Sequence, residues 1–411
     1  VQKPTFFDEP VEIQDPVEDV LEHGWLHKVM VLAHQPEGWP DWLLAGWLIL
    51  MAAFLGRFWL FTTGEMRVAQ MVLLVQILVM AADMALLISL PKREISYGPW
   101  KAQFVVLSLP RFGVTFATAV LAAFWNPVAM WVVFLVVQLL ALAALIWGTE
   151  IEPFRLRMSE FVLFSNRLPA GSKPIRLLHI TDLHVERLTR REERVVMLAK
   201  KAKADLIVIT GDYVNLSYNR DPETLQQVRQ LLRRFQAPQG VFATLGSPPV
   251  DLRETVVPIF QQLPVQLMRH EWQRVTLGDG RSLVLLGIDC THHLPTDAQR
   301  LAQLVADAPD DAPQVLLYHS PELMPEAIHH ELDLYLCGHT HGGQVRLPLI
   351  GPLLTSSQLG RRYVMGLYKY GRTHLYVSRG IGLEGLSAPR VRFMCPPEMT
   401  LVTIRPLSPH S

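Results

Sequence analysis

Hydrophobic positions fall into two regimes along this chain. Before residue 150 they run almost without interruption, in stretches at 42–61, 68–90, 104–125 and 127–147 dominated by Leu, Ala, Val, Trp and Phe. At 1.5 Å of rise per residue each stretch is long enough to cross a hydrocarbon core of roughly 30 Å, and the linkers between them are short. Four transmembrane helices are therefore expected. Beyond residue 174 short β-type runs alternate with amphipathic helical patterns, the mark of a layered α/β domain. Strands are expected at 175–180, 206–210, 241–245, 282–288, 314–318, 332–336, 374–378 and 399–404. Helices are expected at 190–203, 222–235, 254–263 and 297–308. The chain thus divides into a leader (1–40), a four-helix transmembrane region (41–149), a linker (150–173) and an α/β domain (174–411). In the linker, Phe154, Phe161, Val162, Leu163 and Phe164 are interleaved with Arg155, Arg157 and Arg167, which fits an edge strand or a stretch lying on lipid headgroups.

Charge narrows the classes of partner. Lys and Arg number 38, as do Asp and Glu, so the formal net charge is zero and no basic stripe suited to a phosphate backbone is present. Nucleic acid is excluded as the main partner. Three widely spaced cysteines, Cys290, Cys337 and Cys395, imply no disulfide framework and fit a reducing compartment. The leader is acidic, with Asp8, Glu9, Glu12, Asp15, Glu18, Asp19 and Glu22, and lacks the basic, apolar and small-residue order of a secretory signal. It reads as a flexible or partly helical cytosolic segment. Among the spans, Arg57, Asp83 and Arg111 are the charges at membrane depth, and a structural pairing through Asp83 is expected. Lys92, Arg93 and Lys101 between the second and third spans, and Arg155 and Arg157 after the fourth, place both ends of the bundle in the cytoplasm.

The chemistry lies where the apolar runs of the α/β domain stop. The run 332–336 leads into Cys337-Gly338-His339-Thr340-His341-Gly342-Gly343-Gln344, two imidazoles two residues apart flanked by glycines that allow a sharp turn. Upstream, 175–180 leads into Thr181-Asp182-Leu183-His184, 206–210 into Gly211-Asp212, and 315–318 into His319-Ser320-Pro321. Four buried-type runs each end in Asp or His, and strand ends are where α/β proteins place their sites.

Asp-x-His, Gly-Asp, a lone His after a strand and Gly-His-x-His, in that order, resemble the calcineurin-like metallophosphoesterases from about Pro174 to the C-terminus. The tail is similar to their YaeI/YkuE-like bacterial branch through Gly342-Gly343-Gln344, Leu347-Pro348, Ile350-Gly351-Pro352, Gly366-Leu367-Tyr368, Ser378-Arg379-Gly380-Ile381-Gly382 and Cys395-Pro396-Pro397-Glu398. The resemblance implies two facing mixed β-sheets flanked by helices, with a dinuclear metal site at the strand ends. It implies that one metal is held by Asp182, His184, Asp212 and His341, and a second by the shared Asp212 with His319 and His339. Such mixed carboxylate and imidazole donors suit Mn, Fe or Zn. The implied reaction is hydrolysis of a phosphodiester or pyrophosphate by a metal-bound hydroxide, with two ions about 4 Å apart also neutralising the nonbridging oxygens.

One element departs from the pattern. After 241–245 the family has Gly-Asn-His-Asp or Gly-Asn-His-Glu, whereas this chain has Gly246-Ser247-Pro248-Pro249-Val250-Asp251. Ser247 stands at the place of a metal-binding Asn, and Pro248 at that of a His that contacts substrate. The resemblance then leaves three outcomes open. The second metal is weakly held in a slow enzyme; Asp251, His292 or His293 substitutes; or the site binds metal or phosphate without turnover. The leading expectation is a membrane-anchored hydrolase at the cytoplasmic face of a bacterial inner membrane, acting on a phosphoester that membrane anchoring suggests is lipid-linked. Some members of the family cleave the pyrophosphate of UDP-2,3-diacylglucosamine.

Overall fold

The computed structural model of the chain describes residues 24–407. The acidic leader positions Asp8 to Glu22 lie outside the described residues. A short helix, α1 (Trp25–His34), precedes α2 (Asp41–Thr63), α3 (Met66–Ser89), α4 (Trp100–Ala122) and α5 (Pro127–Ile146). The last four are long and apolar enough to cross a membrane. In the bundle α2 packs on α3 and α4, and α5 closes the other side against the same two helices. Five of its buried polar groups, Gln76, Asp83, Arg111, Thr115 and Gln138, meet in one cluster. Arg111 donates from Nη2 to Asp83 Oδ1 at 2.7 Å and from Nη1 to Gln138 Oε1 at 2.8 Å. Thr115 donates to Gln76 Oε1 at 2.7 Å, and Gln138 Nε2 donates to the Arg111 carbonyl at 3.1 Å. Arg57 lies on the exposed surface of α2, away from this pairing.

The strands are β1 (Arg157–Ser165), β2 (Ile175–Ile180), β3 (Leu206–Thr210), β4 (Val241–Thr244), β5 (Val265–Leu267), β6 (Glu271–Thr276), β7 (Ser282–Gly287), β8 (Gln314–Leu317), β9 (Leu334–Cys337), β10 (Arg346–Leu347), β11 (Gly351–Pro352), β12 (Gly366–Tyr370), β13 (Thr373–Val377) and β14 (Glu398–Pro406). They form two six-stranded mixed sheets, ordered β1-β14-β2-β3-β4-β5 and β12-β13-β9-β8-β7-β6, and a two-stranded β10-β11 hairpin. Leu177, Val208, Leu285, Val315 and Leu336 meet between the two sheets. The outer face of the first sheet is covered by α6 (Arg190–Ala202), α7 (Pro222–Leu232) and α8 (Arg253–Val256), that of the second by α9 (Leu294–Asp307) and α10 (Met324–His329). Central strands buried on both faces read as unbroken apolar runs, which is why β2, β3, β8 and β9 stand out in the sequence.

One expected helix falls short, and the linker contains the expected edge strand. The helical pattern at 254–263 gives only the four-residue α8 and a 3-10 turn at Val257–Phe260, because Pro258 cannot donate within a continuing helix. The segment 157–165 is an edge strand, pairing in parallel with β14 from Arg157 opposite Glu398 to Ser165 opposite Pro406. It ties the end of the membrane region into the first sheet.

Strands β2, β3 and β4 are parallel neighbours, as are β7, β8, β9 and β13. Their C-terminal ends therefore gather along one edge of the sandwich, and residues far apart in sequence converge there.

Candidate metal centre

Each of the six residues expected to bind metal sits just past a strand of this edge: Asp182 and His184 after β2, Asp212 after β3, His319 after β8, and His339 and His341 after β9. All six are buried. Five of them have left-handed backbone: φ is 50° at Asp182, 40° at His184, 56° at Asp212, 67° at His339 and 50° at His341. This region costs a non-glycine residue roughly 1 kcal/mol or more, and such strain gathers at functional sites. Two glycines permit the close approach. A Cβ on Gly338 would lie 2.0 Å from Asp182 Oδ2, and one on Gly246 would lie 2.2 Å from Asp212 Oδ1.

The donor atoms form two groups, Asp182–His184–His341 and Asp212–His319–His339, each with all its ligand atoms within 4.8 Å of one another. Asp212 lies between them, with Oδ2 at 3.4 Å from His184 Nε2 and 3.2 Å from His319 Nε2. Within the first group His184 Nε2 and His341 Nε2 are 3.0 Å apart. Backbone contacts fix the orientations. The His339 N–H donates to Asp182 Oδ1 at 2.9 Å, the Ser247 N–H donates to Asp212 Oδ1 at 2.8 Å, and His319 Nδ1 faces the Thr210 carbonyl at 2.7 Å. Donation to that carbonyl leaves His319 Nε2 turned inward, where it can take up a proton or a cation.

Electrostatics test whether cations fit. Burial pushes the carboxyl of Asp182 up, although His319 opposes it. Burial acts the same way on Asp212, but the charge and hydrogen bond of His319 outweigh it and hold this carboxyl far below the usual range. His319 is itself pushed up to about 10, against burial, by Asp212 and Asp182. Burial drives His339 and His341 well below the ordinary imidazole value, so both are neutral and able to donate a lone pair. Two buried carboxylates thus demand positive charge, part of which the protein supplies by protonating His319. Asp182 Oδ2 and His184 Nδ1 are buried without a hydrogen-bond partner. Orphaned buried oxygen and nitrogen donors of this mixed type fit divalent cations.

The altered loop reaches the second group. Ser247 Oγ lies 3.4 Å from His339 Nδ1 and 3.5 Å from Asp212 Oδ2. Asp251, one of the residues weighed as a substitute, is committed to backbone: its carboxylate accepts from the N–H groups of Asp212, Tyr213 and Gly246. His293 faces Thr296 Oγ1 at 2.8 Å through Nδ1. The His292 ring packs against that of His339 with centroids 5.0 Å apart, and it is buried. Three further groups border the centre, of which Cys395 belongs to the tail motif and Glu384 and Arg392 were not singled out from the sequence. Glu384 Oε2 lies 3.9 Å from His341 Nε2, Arg392 Nη2 lies 3.4 Å from His341 Nδ1, and Cys395 Sγ donates to the His341 carbonyl. They come from a loop without regular structure after β13, where apolar periodicity carries no signal. The run Ser378-Arg379-Gly380-Ile381-Gly382, directly after a strand, was the available pointer.

Residues 175–343 match the calcineurin-like phosphoesterase family. The chain is 29% identical over 268 residues to the metallophosphoesterase YkuE of Bacillus subtilis, covering 63% of this chain and 89% of that protein. It is 28% identical over 248 residues to the phosphodiesterase YaeI of Escherichia coli, covering 57% and 83%. Over 315 residues it is 24% identical to the UDP-2,3-diacylglucosamine pyrophosphatase LpxG of Chlamydia trachomatis, covering 62% and 92%. A family match spanning all six strand-end residues, laid over two facing sheets that carry them to one edge, makes this a calcineurin-like metallophosphoesterase domain, a metal-dependent phosphoester hydrolase behind four membrane-capable helices.

Proposed function

We propose that the protein hydrolyses a phosphodiester or pyrophosphate carried on a lipid, at the cytoplasmic face of a bacterial inner membrane. The observation that carries this reading is the pair of ligand groups with Asp212 between them, in a domain joined to four membrane-capable helices. Asp182, His184 and His341 would hold one divalent cation, His319 and His339 the other, and Asp212 both. Mn, Fe or Zn suits these donors, and when bound the two ions would supply positive charge for the phosphoryl oxygens and an activated water. The remaining work falls to the chain itself. Thr210 holds the His319 tautomer, the Ser247 N–H fixes one Asp212 oxygen, and the His339 N–H fixes one Asp182 oxygen, so the donors stand in place before substrate arrives. The similarity to LpxG, whose name gives a pyrophosphatase acting on a diacylated sugar nucleotide, supports a lipid-linked substrate.

A second reading has a specific observation in its favour. Ser247 and Pro248 replace a ligand and a substrate contact beside the second group, which suits a module that binds metal or phosphate without turnover. The two part on one experiment: hydrolysis of bis(p-nitrophenyl) phosphate by the full chain in nanodiscs, with Mn²⁺ and with chelator, alongside metal content and an Asp212→Asn control. Manganese-dependent turnover lost in the control is expected. Bound metal without turnover would favour the silent module.

A further inference from the structure

The β10-β11 hairpin has an apolar tip that packs on nothing. Leu349 is fully exposed, and Ile350, Leu353 and Leu354 beside it are more than two-fifths exposed. Its base is part of the metal centre's rim. Ser356 Oγ donates to the His339 carbonyl at 2.9 Å, the Ser356 carbonyl lies 3.4 Å from His339 Nε2, and the Leu353 N–H donates to the Val345 carbonyl, four residues past His341.

The same hairpin is hydrogen-bonded, through one short segment, to the membrane region. The Arg346 N–H donates to the Phe393 carbonyl at 2.9 Å, and the Phe393 N–H donates to the Gln344 carbonyl at 3.0 Å. One residue away, the Arg392 N–H donates to the carbonyl of Gly148, at the end of the fourth span, at 2.9 Å. Cys395 N–H bonds to Glu152 just beyond it. On its other flank this segment meets the start of the bundle: Ser387 Oγ donates to the Met30 carbonyl in α1 at 2.8 Å, and the Arg390 N–H donates to Gln103 Oε1 in α4 at 3.0 Å. The segment 384–395 therefore binds α1, α4, the end of α5, the hairpin and His341 at once. Met394 adds another exposed apolar side chain to it.

Charge points the same way. Around the tip, between residues 344 and 365, the chain has three basic residues and no acidic one, in a protein whose overall charge is zero. Arg346 and Arg361 flank the tip, and Arg361 donates to the Ile350 carbonyl at 3.4 Å. An apolar tip with a basic collar seeks the boundary between anionic headgroups and acyl chains.

We infer that the Leu349–Ile350 tip, with Leu353, Leu354 and Met394, rests in the leaflet that holds the spans, and that the metal centre opens beside it at headgroup level. The substrate class is then a phosphoester bearing an acyl or alkyl chain, taken from the leaflet without leaving it. The substrate half of this inference rests on the hydrolase reading above; the bilayer contact does not.

The test uses the full chain in phosphatidylethanolamine–phosphatidylglycerol vesicles. An environment-sensitive fluorophore is placed on Leu349→Cys, and for reference on Glu331→Cys, an exposed position before β9 and hence at the opposite strand end; the native cysteines are buried. The expected result is a blue-shifted label at 349, quenched by spin-labelled lipid and shielded from iodide, with the reverse at 331. Iodide quenching at 349 equal to that at 331 would overturn the contact. In a second arm, hydrolysis of vesicle-embedded hexadecyl p-nitrophenyl phosphate is divided by hydrolysis of soluble bis(p-nitrophenyl) phosphate. Leu349→Asp with Ile350→Asp should lower this ratio about tenfold. An unchanged ratio would overturn delivery from the leaflet. Failure of the unaltered protein on both substrates would remove the hydrolase reading, while the labels would still decide the bilayer contact.

Discussion

Two buried polar clusters in this molecule differ in how far their charges balance. In the bundle, Arg111 and Asp83 cancel in charge, and Gln138, Gln76 and Thr115 take up hydrogen bonds around them, with only the neutral Gln76 Nε2 of this cluster left over. At the sandwich edge, two carboxylates meet four imidazoles, Asp182 Oδ2 and His184 Nδ1 have no hydrogen-bond partner, and five backbones are left-handed. The first cluster is balanced in charge and holds helices together. The second is short of positive charge on a strained frame, which is the condition of a site that awaits cations. Burial of polar groups therefore does not mark function; unmet demand does.

The comparison breaks if the centre tolerates loss of its shared carboxylate. Asp212→Asn should lower hydrolysis by at least about 10²-fold and reduce bound metal per chain, since it removes a donor from both groups. Retained turnover and metal content would dissolve the proposed site.

The bundle cluster should respond in stability. Asp83→Leu alone leaves Arg111 buried without its partner and should destabilise the helices by about 3–5 kcal/mol, whereas Asp83→Leu with Arg111→Met should recover most of that loss. Denaturation of the full chain in detergent reads both. Equal loss in the single and double variants would mean that the charges hold more than each other.

A smaller effect should appear with pH in chelator-treated protein. The folded value of His319, about 10, lies above its ordinary 6.5. The stability conferred by its proton is complete below 6.5 and is lost as pH rises through about 10. The melting midpoint should fall over that window more steeply than in Asp212→Asn, where His319 lacks its main partner. Parallel slopes would remove this pair as the cause, and added Mn²⁺ should flatten the dependence.

The smallest expected change sharpens the second group. Ser247→Asn with Pro248→His should raise the rate about tenfold by restoring a ligand and a proton donor. A fall would show that the present loop, with His292 packed on His339, is already a working arrangement.

Much of this was legible because the relevant residues follow strands buried on both faces. Unbroken apolar runs such as 206–210 announce themselves, and an Asp or His directly after one is conspicuous. The half-exposed strands β6 and β12 and the three-residue β5 left no such trace. Glu384 and Arg392 were missed for a related reason: their irregular loop has no period, and only its packing against His341 brings them to the centre.

The sequence by itself determined the four membrane-capable spans, the α/β domain and the six strand-end donors, because spans and buried strands are local patterns of apolar side chains. Tertiary structure alone decided the rest. Which donors share a group, that Asp251 caps backbone and His292 lies on His339, and that one segment binds the bundle, the apolar hairpin and His341 together are matters of long-range contact. No local spacing encodes them, since each joins residues that only the parallel strand order and the docking of the two halves bring within reach.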